Sequence, residues 1–148
     1  MKVNVEIIDK AQEELALIQC HELNKDVAEI ADFIKSKDTT LLGYENERIR
    51  TIALDDIYYI EAVDNRVFAY LEKDVYELKY KLYELEALYK GRRFFRCAKS
   101  VIVNLMKIDC IKPALNGRFI AKLKNSEEVI ISRQYVPLLK QSLTGGMV

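Results

Sequence analysis

Three polar clusters carry the chemistry open to this sequence: Asp64-Asn65-Arg66, Arg96-Cys97-Ala98-Lys99-Ser100 and Ser132-Arg133-Gln134. Each borders a β-prone apolar run, where a turn can hold a side chain out from a rigid scaffold. Arginine and lysine can read guanine N7 and O6, asparagine and glutamine can read adenine, and serine suits a phosphate oxygen. The middle cluster lies inside the apolar stretch Phe94-Phe95-Arg96-Cys97-Ala98-Lys99-Ser100-Val101-Ile102-Val103-Asn104-Leu105. Ionised groups beside a core strand are costly without partners. They therefore pair internally or emerge at a strand end to meet an anion. For Arg96 both readings stand: an ion pair within the protein, with Glu61 as the candidate partner, or contact with a nucleic acid.

Other chemistries fit less well. His21 is the only histidine, with Cys20 beside it and no second ligand pattern. Metal sites and hydrolase relays usually set histidine near a nucleophile or further ligands. The five glycines form no phosphate-cradling loop. Asp55-Asp56 and Glu127-Glu128 read as turn acids rather than as a paired-carboxylate site. No catalytic residue, metal, cofactor or small-molecule substrate is expected. Nine tyrosines and five phenylalanines raise stacking on single strands as an option, but most occupy positions that a core or sheet face also explains.

The formal net charge is zero, yet charge is unevenly spread. Through Asp38, five lysines face nine acids; from Lys90 to Lys140, twelve Lys/Arg face three acids. That excess suits a polyanionic partner, or else a lysine-rich solvated sheet. No apolar run reaches the ~20 residues that span a bilayer. The start, Met1-Lys2-Val3-Asn4-Val5-Glu6, alternates polar with apolar residues, unlike a signal peptide. Three scattered cysteines, Cys20, Cys97 and Cys110, with no CxxC pair, suit a reducing cytoplasm and no disulfide framework.

Period-two alternation at Val3, Val5 and Ile7 predicts an N-terminal strand. Residues 10–20 fit a helix by propensity or a second strand paired with the first. Leu23, Val27, Ile30 and Ile34 predict a helix over about 23–36, started near Glu22 or Asn24. Its apolar face suits the protein body or a second copy. Short β segments follow: a hairpin about Glu45-Asn46-Glu47, a strand at 57–63, a turn at Asp64-Asn65, and strands at 67–71 and 75–78. Leu82, Leu85, Leu88 and Tyr89 predict a helix closed by Gly91. Asn116-Gly117 is the strongest hairpin signal, and Asn125-Ser126 is a second. Ser132 is placed to cap a closing helix with Leu138, Leu139 and Leu143, whose first turn Pro137 marks; Gly145-Gly146 should fray.

In this order the motifs Ile57-Tyr58-Tyr59-Ile60-Glu61, Leu82-Tyr83-Glu84-Leu85-Glu86, Phe94 to Leu105, Ile108 with Ile111, Asn116-Gly117-Arg118 and Val129-Ile130-Ile131-Ser132-Arg133-Gln134-Tyr135 resemble the LytTR DNA-binding domain of bacterial transcriptional regulators. The resemblance covers about residues 41–143. It implies a mainly β (α+β) fold, an elongated stack of small antiparallel sheets with short helices, whose inter-sheet loops enter successive major grooves. By position it implies Asn65 and Arg66 in the first DNA-facing loop, Lys99 and Ser100 in the second, and Ser132, Arg133 and Gln134 in the third. Lys99 and Arg133 are the expected base contacts. Ser100 and Ser132 would serve phosphates or cap backbone groups. Many relatives carry a phospho-receiver domain, for which 148 residues leave no room. The similarity is instead to stand-alone regulators with a short N-terminal extension.

The organisation expected is thus an extension over 1–40, with strand and helix, for dimerisation or regulator contact, and a DNA-binding domain over 41–148. The resemblance implies double-stranded DNA with paired direct repeats, a homodimer, and a membrane-protein regulator as one candidate partner. The competing reading is a β-rich protein-interaction module without DNA binding.

Overall fold

The computed structural model describes residues 1–37, 39–89 and 93–144. One helix leads, α1 (Lys25–Lys37). Asn24 caps it, its side-chain oxygen accepting from the Val27 amide at 2.9 Å. Then come β1 (Thr40–Glu45), β2 (Arg48–Ala53), β3 (Tyr59–Val63), β4 (Arg66–Tyr70), β5 (Val75–Leu78), α2 (Leu82–Tyr89), β6 (Phe94–Ala98), β7 (Val101–Asn104), β8 (Ile108–Pro113), β9 (Phe119–Leu123), β10 (Glu128–Ile131) and α3 (Val136–Leu143). The helix expected at 82–89 stands as α2; Gly91, its expected stop, and the Gly145-Gly146 tail lie outside the described residues. Pro137 sits in the first turn of α3, where its missing N–H costs no helical hydrogen bond.

Among the described residues the strands form two antiparallel sheets, one in the order β2-β1-β5-β4-β3-β7-β6 and one in the order β10-β9-β8. Hairpins set the register. Asp64 and Asn65 both adopt positive φ (51° and 64°), a two-residue turn that matches the strand twist and places Val63 opposite Arg66.

Two cores result. Leu54, Ile57, Ile60, Ala69, Leu78, Leu85 and Ile102 fill the first, between the large sheet and α2. Cys97, Val103, Ala121, Leu123, Ile131 and Leu139 fill the second, joining β6 and β7 to the small sheet and α3. Ile102 serves one core and its neighbour Val103 the other. This explains the unbroken Val101-Ile102-Val103 run, since a strand buried on both faces has no polar alternation. Asn104, 2% exposed, closes that strand. Its amide nitrogen donates to the Ile57 carbonyl at 2.8 Å and its oxygen accepts from the Met106 amide at 3.0 Å. A buried amide is tolerable because both ends are satisfied.

The N-terminal expectation is corrected. Residues 1–23 hold no helix and no strand; a turn at 9–12 joins two irregular arms. The alternation at Val3, Val5 and Ile7 is real, but among the described residues no strand lies alongside to take up their backbone groups, and a strand exists only through a partner. The helix settles the other N-terminal question in part. Val27 of α1 is buried on the body, and the Phe33 ring lies 4.3 Å beneath the Arg93 guanidinium.

Candidate nucleic-acid interface

The three polar clusters are laced together through the backbone. At the end of β3 the Ala62 amide donates to the Ser100 carbonyl at 2.9 Å, joining the Asp64-Asn65 turn to the β6–β7 turn. On the other side the Ser132 amide donates to the Cys97 carbonyl at 2.8 Å, joining the β6–β7 turn to the segment after β10. Segments far apart in sequence thereby become neighbours around β6.

The first turn exposes Asn65, whose side chain suits its left-handed backbone. Arg66 is held differently. Its Nη2 and Nε donate to Glu77 at 2.9 and 3.2 Å, and its guanidinium lies over the Phe68 ring at 5.1 Å. That hydrogen bond with Glu77 raises the arginine pKa and lowers that of the glutamate. Arg66 runs along its own sheet.

In the middle cluster a register shift between Arg96 and Ala98 bulges β6 and sends Cys97 inward, fully buried. Burial pushes the Cys97 thiol up to about 12. Lys99 is exposed at the turn and Ser100 half-buried beside it. Arg96 builds that turn. Its Nε donates to the Ala98 carbonyl at 2.9 Å, its Nη2 to the Lys99 carbonyl, and its Nη1 to Glu86 of α2 at 2.6 Å. The internal ion pair is therefore the arrangement adopted, but with Glu86. Glu61 instead accepts from the Tyr70 hydroxyl at 3.3 Å. Glu61 lies three residues before the Asp64-Asn65 turn, whereas Glu86 comes from a helix packed beside β6, a proximity that strand patterning does not reveal.

In the third cluster Arg133 and Gln134 are exposed on a single 3-10 turn, Arg133–Tyr135, that leads into α3. Ser132 precedes it without a side-chain cap bond; its backbone carbonyl accepts from Tyr135 instead, at 2.9 Å. The capping role expected of its hydroxyl is not adopted, because the helix begins four residues later, at Val136. Gly117 is the residue that sequence reasoning missed. The Asn116-Gly117 turn runs through two positive φ values (62° and 74°), and a Cβ at Gly117 would stand 2.8 Å from Arg133 Cδ. The arginine stem rests against bare backbone. Asn-Gly signalled a turn, but nothing in the string signalled what lies over it.

Among the described residues no group of three or more His, Cys, Asp or Glu side chains could hold a metal ion. An open groove of about 1220 Å³ lies between α1 and α3, lined by Ile30, Phe33, Phe94, Leu105 and Leu138. Among the described residues no helix is long and apolar enough to cross a membrane.

Comparison with known proteins agrees with this fold. Residues 47–144 match the family model described as the LytTr DNA-binding domain. The transcriptional regulatory protein YpdB of Escherichia coli K12 is 35% identical over 109 residues, 73% of this chain and 45% of that protein. This chain thus spans less than half the length of that relative. A Staphylococcus aureus protein (strain MSSA476) described as an uncharacterized HTH-type transcriptional regulator is 30% identical over 146 residues, 97% of this chain and 99% of its own. Despite that description, α1, α2 and α3 here are separated from one another by strands. Among solved structures, the LytTr DNA-binding domain of a putative methyl-accepting/DNA response regulator from Bacillus cereus superposes with a TM-score of 0.67 at 27% identity, covering 73% of this chain and 98% of that one. The chain belongs to the LytTr DNA-binding domain family.

Proposed function

We propose that this protein is a cytoplasmic transcriptional regulator that binds duplex DNA sequence-specifically, with the three laced turns set into the major groove. The observation that carries the reading is the pair of backbone hydrogen bonds, Ala62 to Ser100 and Ser132 to Cys97, that gathers Asn65, Lys99, Arg133 and Gln134 onto one scaffold within a chain of this family. Arg133 and Lys99 read guanine, Asn65 and Gln134 suit adenine, and Ser100 and Ser132 take phosphate oxygens. Arg66 contributes to a phosphate only by exchanging its Glu77 partner, so it is the weakest of the set. The domain begins near residue 41, and the 1–40 extension serves assembly or contact with a regulator. Two copies occupy paired direct repeats. A membrane-protein partner is a further proposal, supported by resemblance alone.

The test is affinity for duplex DNA at several salt concentrations, for the wild type and Arg133→Ala. Wild-type affinity should fall steeply as salt rises, because phosphate contacts release counterions. The variant should lose about 5- to 150-fold, the equivalent of ~1–3 kcal/mol for a bidentate base contact, and should relax selection at one base pair in a random pool. No binding even at low salt would refute the DNA reading and leave the protein-interaction module.

A further inference from the structure

The N-terminal arm has the make-up of a β strand and, among the described residues, lacks a strand beside it. Val3, Val5 and Ile7 project at 79%, 89% and 100% exposure, within five residues of one another. Leu15 and Leu17 repeat the alternation beyond the turn, and they too are exposed. The turn itself is ordered. Gln12 donates its amide to the Asp9 carbonyl at 3.0 Å, and Ala11 donates to the Asp9 carboxylate at 3.2 Å. The two arms beside this turn enter neither sheet. Soluble proteins scatter single apolar side chains over their surfaces, but alternating β-branched residues on an unpaired arm invite pairing by another chain.

The sequence of the arm specifies which chain. Laid antiparallel on a second copy of itself with Val5 at the two-fold axis, Val5 meets Val5, Val3 meets Ile7 and Ile7 meets Val3. Directly opposite residues share a face, so all three side chains from each copy collect on one side. On the other side Asn4 meets Glu6, and Lys2 lies diagonal to Glu6. Glu6 does not face Glu6 directly, although the two also lie on a diagonal. Moving the axis to Glu6 would set those two carboxylates face to face and oppose Val3 to Asp9. Moving it to Asn4 would set Lys2 opposite Glu6, but it would place Asn4 against Asn4 in place of the central Val5 pair and draw Met1, at the fraying chain end, into the ladder. The pattern is that of an isologous interface, in which one patch complements itself.

We propose that residues 3–7 of two copies pair as an antiparallel ribbon about Val5, forming the two-fold contact of a homodimer. This rests on the two-copy reading above and supplies its contact, but it does not depend on DNA binding. Both are therefore measured separately.

The first measurement is sedimentation of the full chain without DNA, for the wild type and a Val5→Asp/Ile7→Asp variant. Both positions are exposed in the single copy, so the fold should survive, as thermal unfolding will verify. A wild-type dimer whose dissociation constant rises at least about tenfold in the variant is expected; that factor corresponds to ~1.4 kcal/mol. The variant should still bind a single DNA site, which separates loss of the dimer from loss of the DNA function. The second measurement places single cysteines in a Cys20→Ser/Cys110→Ser background. Val5→Cys should oxidise to a covalent dimer much faster than Asn4→Cys or Glu6→Cys, because directly opposite Cα atoms lie within disulfide reach and only residue 5 faces itself. A monomeric wild type, a dimer indifferent to the aspartates, or cross-linking fastest at residue 4 or 6 would each overturn the proposal.

Discussion

Replacing Gly117 with alanine should separate stability from recognition at one position. The new Cβ would meet Arg133 Cδ at 2.8 Å and Cγ at 3.0 Å. Carbon atoms prefer about 3.5–4.0 Å, so the arginine stem must move by roughly an ångström. A bidentate base contact tolerates only about 0.5 Å of such error. On the proposed reading, most of Arg133's share of binding, ~1–3 kcal/mol or about 5- to 150-fold, should be lost. The same substitution places a side chain at φ +74° and should cost about 1–2 kcal/mol of stability. A double-mutant cycle separates the two effects. In wild-type background Gly117→Ala lowers both the unfolding midpoint and DNA affinity; in an Arg133→Ala background it lowers only the midpoint. Asn116→Gly, which relaxes the neighbouring turn residue without adding an atom near Arg133, is the control and should leave affinity unchanged. If Gly117→Ala weakened DNA binding equally in both backgrounds, to within about 0.5 kcal/mol, the positioning argument would fail.

Two further outcomes follow from buried groups. Asn104→Leu leaves the Ile57 carbonyl and the Met106 amide without their partner, and urea unfolding should show a loss of about 2–4 kcal/mol; a loss below about 1 kcal/mol would mean that water or a shifted backbone takes the amide's place. Cys97, buried and held up to about 12, should stay a protonated, unreactive thiol at neutral pH while the exposed Cys20 and Cys110 react with a thiol reagent, the third thiol appearing only on unfolding. The sign for pH follows: the thiol ionises more readily in the unfolded chain, so its contribution is intact below pH 9 and is lost as pH rises toward about 12. Rapid labelling of all three cysteines in the native protein would contradict the bulge that turns Cys97 inward.

Hairpins were the most legible part of this fold. Asp64-Asn65, Asn116-Gly117 and Asn125-Ser126 each carry residues that tolerate positive φ between β-prone runs, so local chemistry alone located those turns. The helices followed from apolar spacing, and Leu82, Leu85 and Tyr89 are indeed the buried face of α2. What stayed hidden depends on non-local neighbours. Arg96 was visible as a charge in an apolar run, but its Glu86 partner comes from a separate helix. Gly117 was visible as a turn residue, but not as the floor beneath Arg133. The N-terminal alternation suits a strand, yet among the described residues no strand lies beside it. Periodicity reports that a segment suits a sheet and is silent on whose sheet that is.

The two backbone bonds at Ala62 and Ser132 bear on where flexibility resides in a complex. Peptide groups engaged between strands of one scaffold cannot slide independently, so the spacing of the three turns is fixed by the fold. Were they to meet successive stretches of a groove, the duplex would have to conform to them. Bending or twisting a duplex costs energy that varies with its base steps, pyrimidine–purine steps yielding most easily. Selectivity would then extend to base pairs that no side chain reaches, chosen for how readily they deform. A single base pair inserted between contacted positions would turn the next contact about the duplex axis by roughly a tenth of a turn. A stiff protein, on this view, measures DNA for length and suppleness as well as for letters.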